Sequence, residues 1–127
     1  MTAKEYLRQL RGMEVEIEAK IEQRAQLKWI IDQTDQRTDE QSARIHRQYI
    51  EADEKLKERV EQLMARQREI RTAIEQVQDE TLRKILEYRY INGWSLLKIS
   101  RRMYISYDWV RHLHGAALLK VKIPEST

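Results

Sequence analysis

Residues 79–122 read DETLRKILEYRYINGWSLLKISRRMYISYDWVRHLHGAALLKVK. Asp79 can cap a helix whose buried face is Leu82, Ile85, Leu86 and Tyr90. Asn92-Gly93 is the strongest stop signal in the chain, with Gly93 suited to a left-handed position after the helix. Ser95 then caps a short helix from Leu96 to about Met103, and Ser106 caps a last one from Tyr107 to about Lys122, ended by Pro124. Ile99 and Met103 on the shorter helix face Val110, Leu113, Ala117 and Leu118 on the longer one. The small residues Ser100, Gly115, Ala116 and Ala117 permit close approach. Helices of about eight and sixteen residues joined by three or four others have the helix-turn-helix layout.

Upstream, the pattern is coarser. From Thr2 to Gln33, Tyr6, Leu10, Met13, Ile17, Ile21, Leu27 and Ile31 fall at three- and four-residue spacing, which is one apolar stripe on a helix. Thr2 and Glu5 have the spacing of a capping box. A polar break, DQTDQRTDEQS at 32–42, offers Thr38 or Asp39 as the next N-cap. From Asp39 to Gln78 a second stripe runs through Ile45, Tyr49, Ala52, Leu56, Val60 or Leu63, Ile70, Ile74 and Val77, interrupted by Arg59 and Arg66. A helix of about 40 residues is ~60 Å long, and one narrow stripe does not hold it alone. Its partner is either the first helix or a second copy of the chain. The expected fold is therefore all-α: a long helical hairpin or coiled coil over 1–78, followed by a three-helix helix-turn-helix domain over 79–127.

Composition agrees with helices. Charged residues make up 35% of the 127, with three Gly, one Pro and no Phe, too little punctuation for a sheet protein. Without Cys there is neither a disulfide nor a thiolate metal site. The opening MTAKEYLRQLRG lacks the apolar segment of a signal peptide, and no apolar run approaches 18 residues, so a soluble intracellular protein with no membrane partner is expected. No nucleophile motif or phosphate-binding glycine loop is present, so no enzyme and no cofactor are expected. His112 and His114 lie about 200° apart on a helix and cannot share a metal, while His46 reads as a surface residue. Glu14, Glu16 and Glu18 read as an exposed face.

Charge is uneven. From Trp94 onward six basic residues face only Asp108 and Glu125, whereas the first 93 residues carry 18 basic and 19 acidic side chains. A basic C-terminal end suits a polyanion. If the last helix enters a DNA major groove, its N-terminal half reads bases. Core positions Val110, Leu113 and Ala117 leave Tyr107, Asp108, Arg111, His112 and one of His114 or Gly115 outward. Arg111 is the foremost candidate, since arginine pairs bidentately with guanine or clamps a phosphate. Ser106 and the first N–H groups of that helix suit a phosphate. Ser95, Lys98, Arg101 and Arg102 would lie along the flanking backbone, with Lys120 as a further cation. Trp109 is expected to pack on the neighbouring helix.

The stretch Leu82–Tyr90, then Gly93, Leu96, Lys98-Ile99, Ile105-Ser106, Val110-Arg111 and Ala117-Leu118, resembles region four of bacterial sigma factors. More closely, RYINGWSLLKIS (89–100) followed by ISYDWVRHLHGAALLKV (105–121) resembles small phage and prophage transcriptional regulators of the ArpU/RinA-like kind. AKEYLRQLRGMEVEIEAKIEQ (3–23) is similar to their N-terminal helix. The resemblance implies a transcriptional regulator that binds double-stranded DNA in the bacterial cytoplasm. It also implies that the long helices pair two chains or contact RNA polymerase. A phage DNA-packaging protein of the small-terminase kind, or a helical scaffold, is the alternative. The chain departs from the pattern at the turn, where Tyr104 replaces the usual Gly. A side chain in the left-handed region costs roughly 1 kcal/mol or more, so the turn either accepts that strain or takes another shape.

Overall fold

A computed structural model describes residues 1–34 and 39–124. Among these there is no strand, and five helices follow one another. They are α1 (Ala3–Thr34), α2 (Glu40–Glu75), α3 (Glu80–Leu86, continued as a π-helical turn over Glu87–Ile91), α4 (Leu96–Met103) and α5 (Tyr107–Lys120). The starts follow local chemistry. Thr2 Oγ1 accepts from the Glu5 N–H at 3.1 Å while Glu5 Oε2 accepts from the Thr2 N–H at 3.3 Å, the reciprocal capping box. Asp39 accepts from the Ser42 N–H at 2.8 Å ahead of α2; the other candidate cap, Thr38, lies outside the described residues. Asp79, Ser95 and Ser106 cap α3, α4 and α5 in the same way. The last helix stops at Lys120, earlier than expected, because Val121 turns to extended backbone and is buried.

Contacts group the chain into two compact units, Met13–Arg66 and the combination of Met1–Gly12 with Gln67–Thr127. In the first, α1 and α2 pack on each other within one chain. Ile17, Val60 and Leu63 form its buried cluster, with Met13 against them. Arg24 Nε donates to Asp53 Oδ1 at 2.9 Å, Arg59 meets Glu16 at 3.4 Å, and Thr34 Oγ1 lies 2.7 Å from His46 Nδ1. As the number rises along α1 it falls along α2, so the helices run antiparallel. His46 is thus a half-buried partner of Thr34 and not a plain surface histidine, and Glu16 is half-buried between Arg59 and Lys20. The expected stripe weakens in this unit: Ile21, Ile45 and Ala52 are exposed.

In the second unit the buried side chains are Tyr6, Leu7 and Leu10 of α1, Ile70, Ala73 and Ile74 of α2, Val77, and Leu82, Ile85, Leu86 and Tyr90 of the α3 segment. Ile99, Val110, Ala117 and Val121 are buried with them, as are the polar Ser100 and His114. Helix α5 packs on both α3 and α4. Ile85, Ile99 and Val110 form the centre of this contact, ringed by Tyr88, Trp94, Leu96, Met103, Ile105 and Leu113.

Two backbone turns set the angle between these helices. Gly93 has φ +75°, the left-handed region that favours glycine; the nearest atoms to a Cβ there belong to the flexible guanidinium end of Arg11, which can swing aside. After α4, the Ile105 N–H reaches back to the Ser100 carbonyl at 3.1 Å, the six-to-one bond of a Schellman closure. Tyr104 takes the left-handed conformation, φ 58° and ψ 38°, that this closure needs, and Ile105 enters the core.

Candidate nucleic-acid interface

With Ile99 buried and Met103 half-buried, the opposite face of α4 presents Lys98, Arg101 and Arg102, spaced three and four residues apart and all exposed. Lys98 is supported from below. Its Nζ lies 4.4 Å from the Trp94 ring centroid, and Trp94 stacks on Tyr88 with centroids 4.6 Å apart. Cation–π contacts of this kind contribute about 0.5–1 kcal/mol at exposed sites. Arg89 Nη1 donates to the Trp94 carbonyl at 3.0 Å, which ties the π-helical turn to the start of α4. Ser95 Oγ accepts from the Lys98 N–H at 3.1 Å and is itself exposed.

The N-terminal half of α5 presents Tyr107, Asp108, Arg111 and His112, all exposed, after its exposed cap Ser106. Arg111 Nη1 is 3.9 Å from Asp108 Oδ1, and its guanidinium lies 5.8 Å from the Tyr107 ring centroid. An exposed pair at that distance contributes little, so Asp108 does not hold Arg111 against a stronger anion. Ser106 Oγ accepts from the Trp109 N–H at 3.1 Å, leaving other N–H groups of the first turn aimed at solvent with the positive end of the helix dipole. Ser95 and Tyr107 share the lining of one surface concavity with Leu97. Lys98, Arg101 and Arg102 share another, about 460 Å³, with Trp94 and Tyr104.

Nine of the ten residues anticipated from sequence therefore fall on α4, on the first half of α5, or at their caps. Lys120 is the exception. It ends α5, which has 14 residues and is about 21 Å long at 1.5 Å per residue. There it lines a separate concavity beside Gln76, Val77, Asp79 and Lys122. Trp109 also departs from expectation: it is 51% exposed and stacks on His112 of its own helix, with centroids 5.0 Å apart. Position 109 precedes the buried Val110 and faces away from the α4 contact.

His114 points inward. Its Nε2 lies 2.8 Å from Tyr90 Oη, and the rings stack with centroids 5.8 Å apart. Burial, with Arg89 and Lys4 adding to it, pushes the His114 pKa below its ordinary value; burial pushes that of Tyr90 up, with Arg89 and Arg8 opposing. Sequence reasoning assigned no role to Trp94 or Arg89, and gave Tyr104 a place in the turn only. For Trp94 a signal existed, since it stands four residues before Lys98. For Arg89 there was none, because its carbonyl partner depends on the turn at Gly93.

Among the described residues no three His, Asp or Glu side chains group to hold a metal ion, and no helix is long and apolar enough to cross a membrane. No protein-family model, curated protein or solved structure matches the chain.

Proposed function

We propose that this chain is a sequence-specific, double-stranded-DNA-binding transcriptional regulator of phage or prophage type, working in the cytoplasm of a bacterial host. In this reading α4 and α5 are a helix-turn-helix and α5 is the reading helix. One observation carries it: Ser95, Lys98, Arg101, Arg102, Ser106, Tyr107, Asp108, Arg111 and His112 are all exposed, while Ile99, Val110 and Ala117 of the same two helices are buried. The resemblance of 89–100 and 105–121 to ArpU/RinA-like regulators and to sigma region four supports the same reading. Arg111 reads a guanine edge or clamps a phosphate, and the α4 cations follow the backbone beside the groove. The long helices then serve to pair two chains or to contact RNA polymerase.

The test begins with duplexes selected from a random pool by the full chain, followed by titration across salt concentrations. The expected result is binding that weakens steeply with salt and a loss of about 5- to 150-fold in Arg111→Ala, as one good bidentate contact contributes about 1–3 kcal/mol. Absence of salt-sensitive duplex binding, or an unchanged affinity in Arg111→Ala, sinks the reading.

A second reading, a DNA-packaging subunit of the small-terminase kind or a helical scaffold, draws on the exposed Val15 and Trp29, which fall about 40° apart around α1 and so on one side of it. Light scattering separates the two: a ring of eight or more chains favours packaging, a monomer or dimer favours regulation.

A further inference from the structure

Among the described residues Tyr104 is the one non-glycine position with positive φ, and it is 94% exposed. The backbone reason is local. Closing α4 onto Ser100 and sending Ile105 into the core requires a left-handed residue at 104, and glycine meets that requirement with least strain. A larger residue is offset only if its side chain gains contacts, and a ring this exposed gains almost none within the fold. Retained strain with no packing return points to a partner.

The surroundings indicate the partner's chemistry. Tyr104 lines the concavity of about 460 Å³ together with Lys98, Arg101, Arg102 and Trp94, and no carboxylate is among its lining residues. We propose that Tyr104 is a DNA-backbone contact, its phenolic hydroxyl donating to a phosphate oxygen of the strand that Lys98, Arg101 and Arg102 attract. This rests on the DNA-binding reading above and extends it to a residue outside the α5 reading face. A phosphate is the ligand because Tyr104 carries a hydroxyl donor and lines the same concavity as three cations, whereas the residues proposed to read bases lie on the first half of α5. Tyrosine is among the side chains that hydrogen-bond phosphate.

Two variants of the full chain test it against a selected duplex. Tyr104→Gly removes both strain and hydroxyl, so it melts about 2–4 °C higher and binds about three- to tenfold more weakly. Tyr104→Phe keeps the wild-type melting temperature and shares the binding loss. Neither changes the salt slope, because no charge is removed, whereas Arg101→Ala and Arg102→Ala each lower it by about 0.9. Wild-type affinity in Tyr104→Gly overturns the contact while leaving DNA binding itself standing. Wild-type affinity in Tyr104→Phe overturns the hydroxyl–phosphate bond. Absence of salt-sensitive binding by the wild type overturns this proposal together with the reading beneath it.

Discussion

His114 and Tyr90 carry a pH dependence that can be signed from their surroundings. The imidazole is buried against the phenol, with Arg89 and Lys4 nearby and Arg8 beside Tyr90, so a charged ring meets both lost solvation and positive neighbours. The folded chain therefore binds the histidine proton less readily than the unfolded chain does. The stability contributed by neutral His114 is complete above the unfolded value of about 6.5. It is lost as pH falls from there through the lower folded value. Tyr90 acts at the other end: its raised pKa keeps it protonated when folded, so its contribution falls only as pH rises past about 10. Melting temperature followed from pH 7.5 to 5 should fall in the wild type and fall less in His114→Gln, whose amide can still meet the Tyr90 hydroxyl. Identical profiles for the two chains would rule out His114 as the source. Burial of His114 was not legible beforehand, because Gly115 next to it was an equally good outward position until the π-helical turn placed Tyr90 opposite.

Helix α5 joins stability and binding at its first turn. Ser106 satisfies the Trp109 N–H and stands where a phosphate would approach the positive end of the helix. Ser106→Ala should cost about 1 kcal/mol of stability, read in thermal or urea unfolding. Ser106→Asp should restore that loss, since aspartate caps equally well, yet weaken duplex binding by placing a negative charge against the incoming phosphate. Recovery of both properties in Ser106→Asp would place the phosphate elsewhere. The caps at Thr2, Asp79, Ser95 and Ser106 were legible in the sequence because capping depends on three or four consecutive residues. So were the stop at Gly93 and the exposed candidates on α4 and α5, since a helix with known core positions fixes its outer face. The π-helical turn over Glu87–Ile91 was not legible. It shifts the helix register by one residue, and what favours it is the packing of Tyr88 on Trp94 and Tyr90 on His114.

At the scale of the whole molecule, the first turns of α1 belong to the same compact unit as α3, α4 and α5. Tyr6, Leu7 and Leu10 are buried there, Leu7 lines a pocket of about 170 Å³ with Arg8, Arg11, Arg89, Tyr90 and Gly93, and Arg11 sits over Gly93. Tyr6 and Leu10 could be read as core from their spacing, but a stripe on a helix says only that something covers it, not what. The consequence is that the candidate interface depends on residues about a hundred positions away in sequence. Leu7 is fully buried, so Leu7→Ala should cost about 2–5 kcal/mol through lost contacts and the cavity left behind. The informative readout is amide hydrogen exchange across α4 and α5. If the unit unfolds cooperatively, protection there falls by the same free energy as global stability, and duplex affinity at elevated temperature falls with it. Unchanged protection of α4 and α5 in Leu7→Ala would mean that the C-terminal helices stand without the N-terminal segment. A chain shortened to begin at Asp79 would then keep both its fold and its DNA binding. With the coupling present, that shortened chain lacks Tyr6, Leu7, Leu10, Ile70, Ile74 and Val77, and it should bind duplex DNA weakly because little of it is folded.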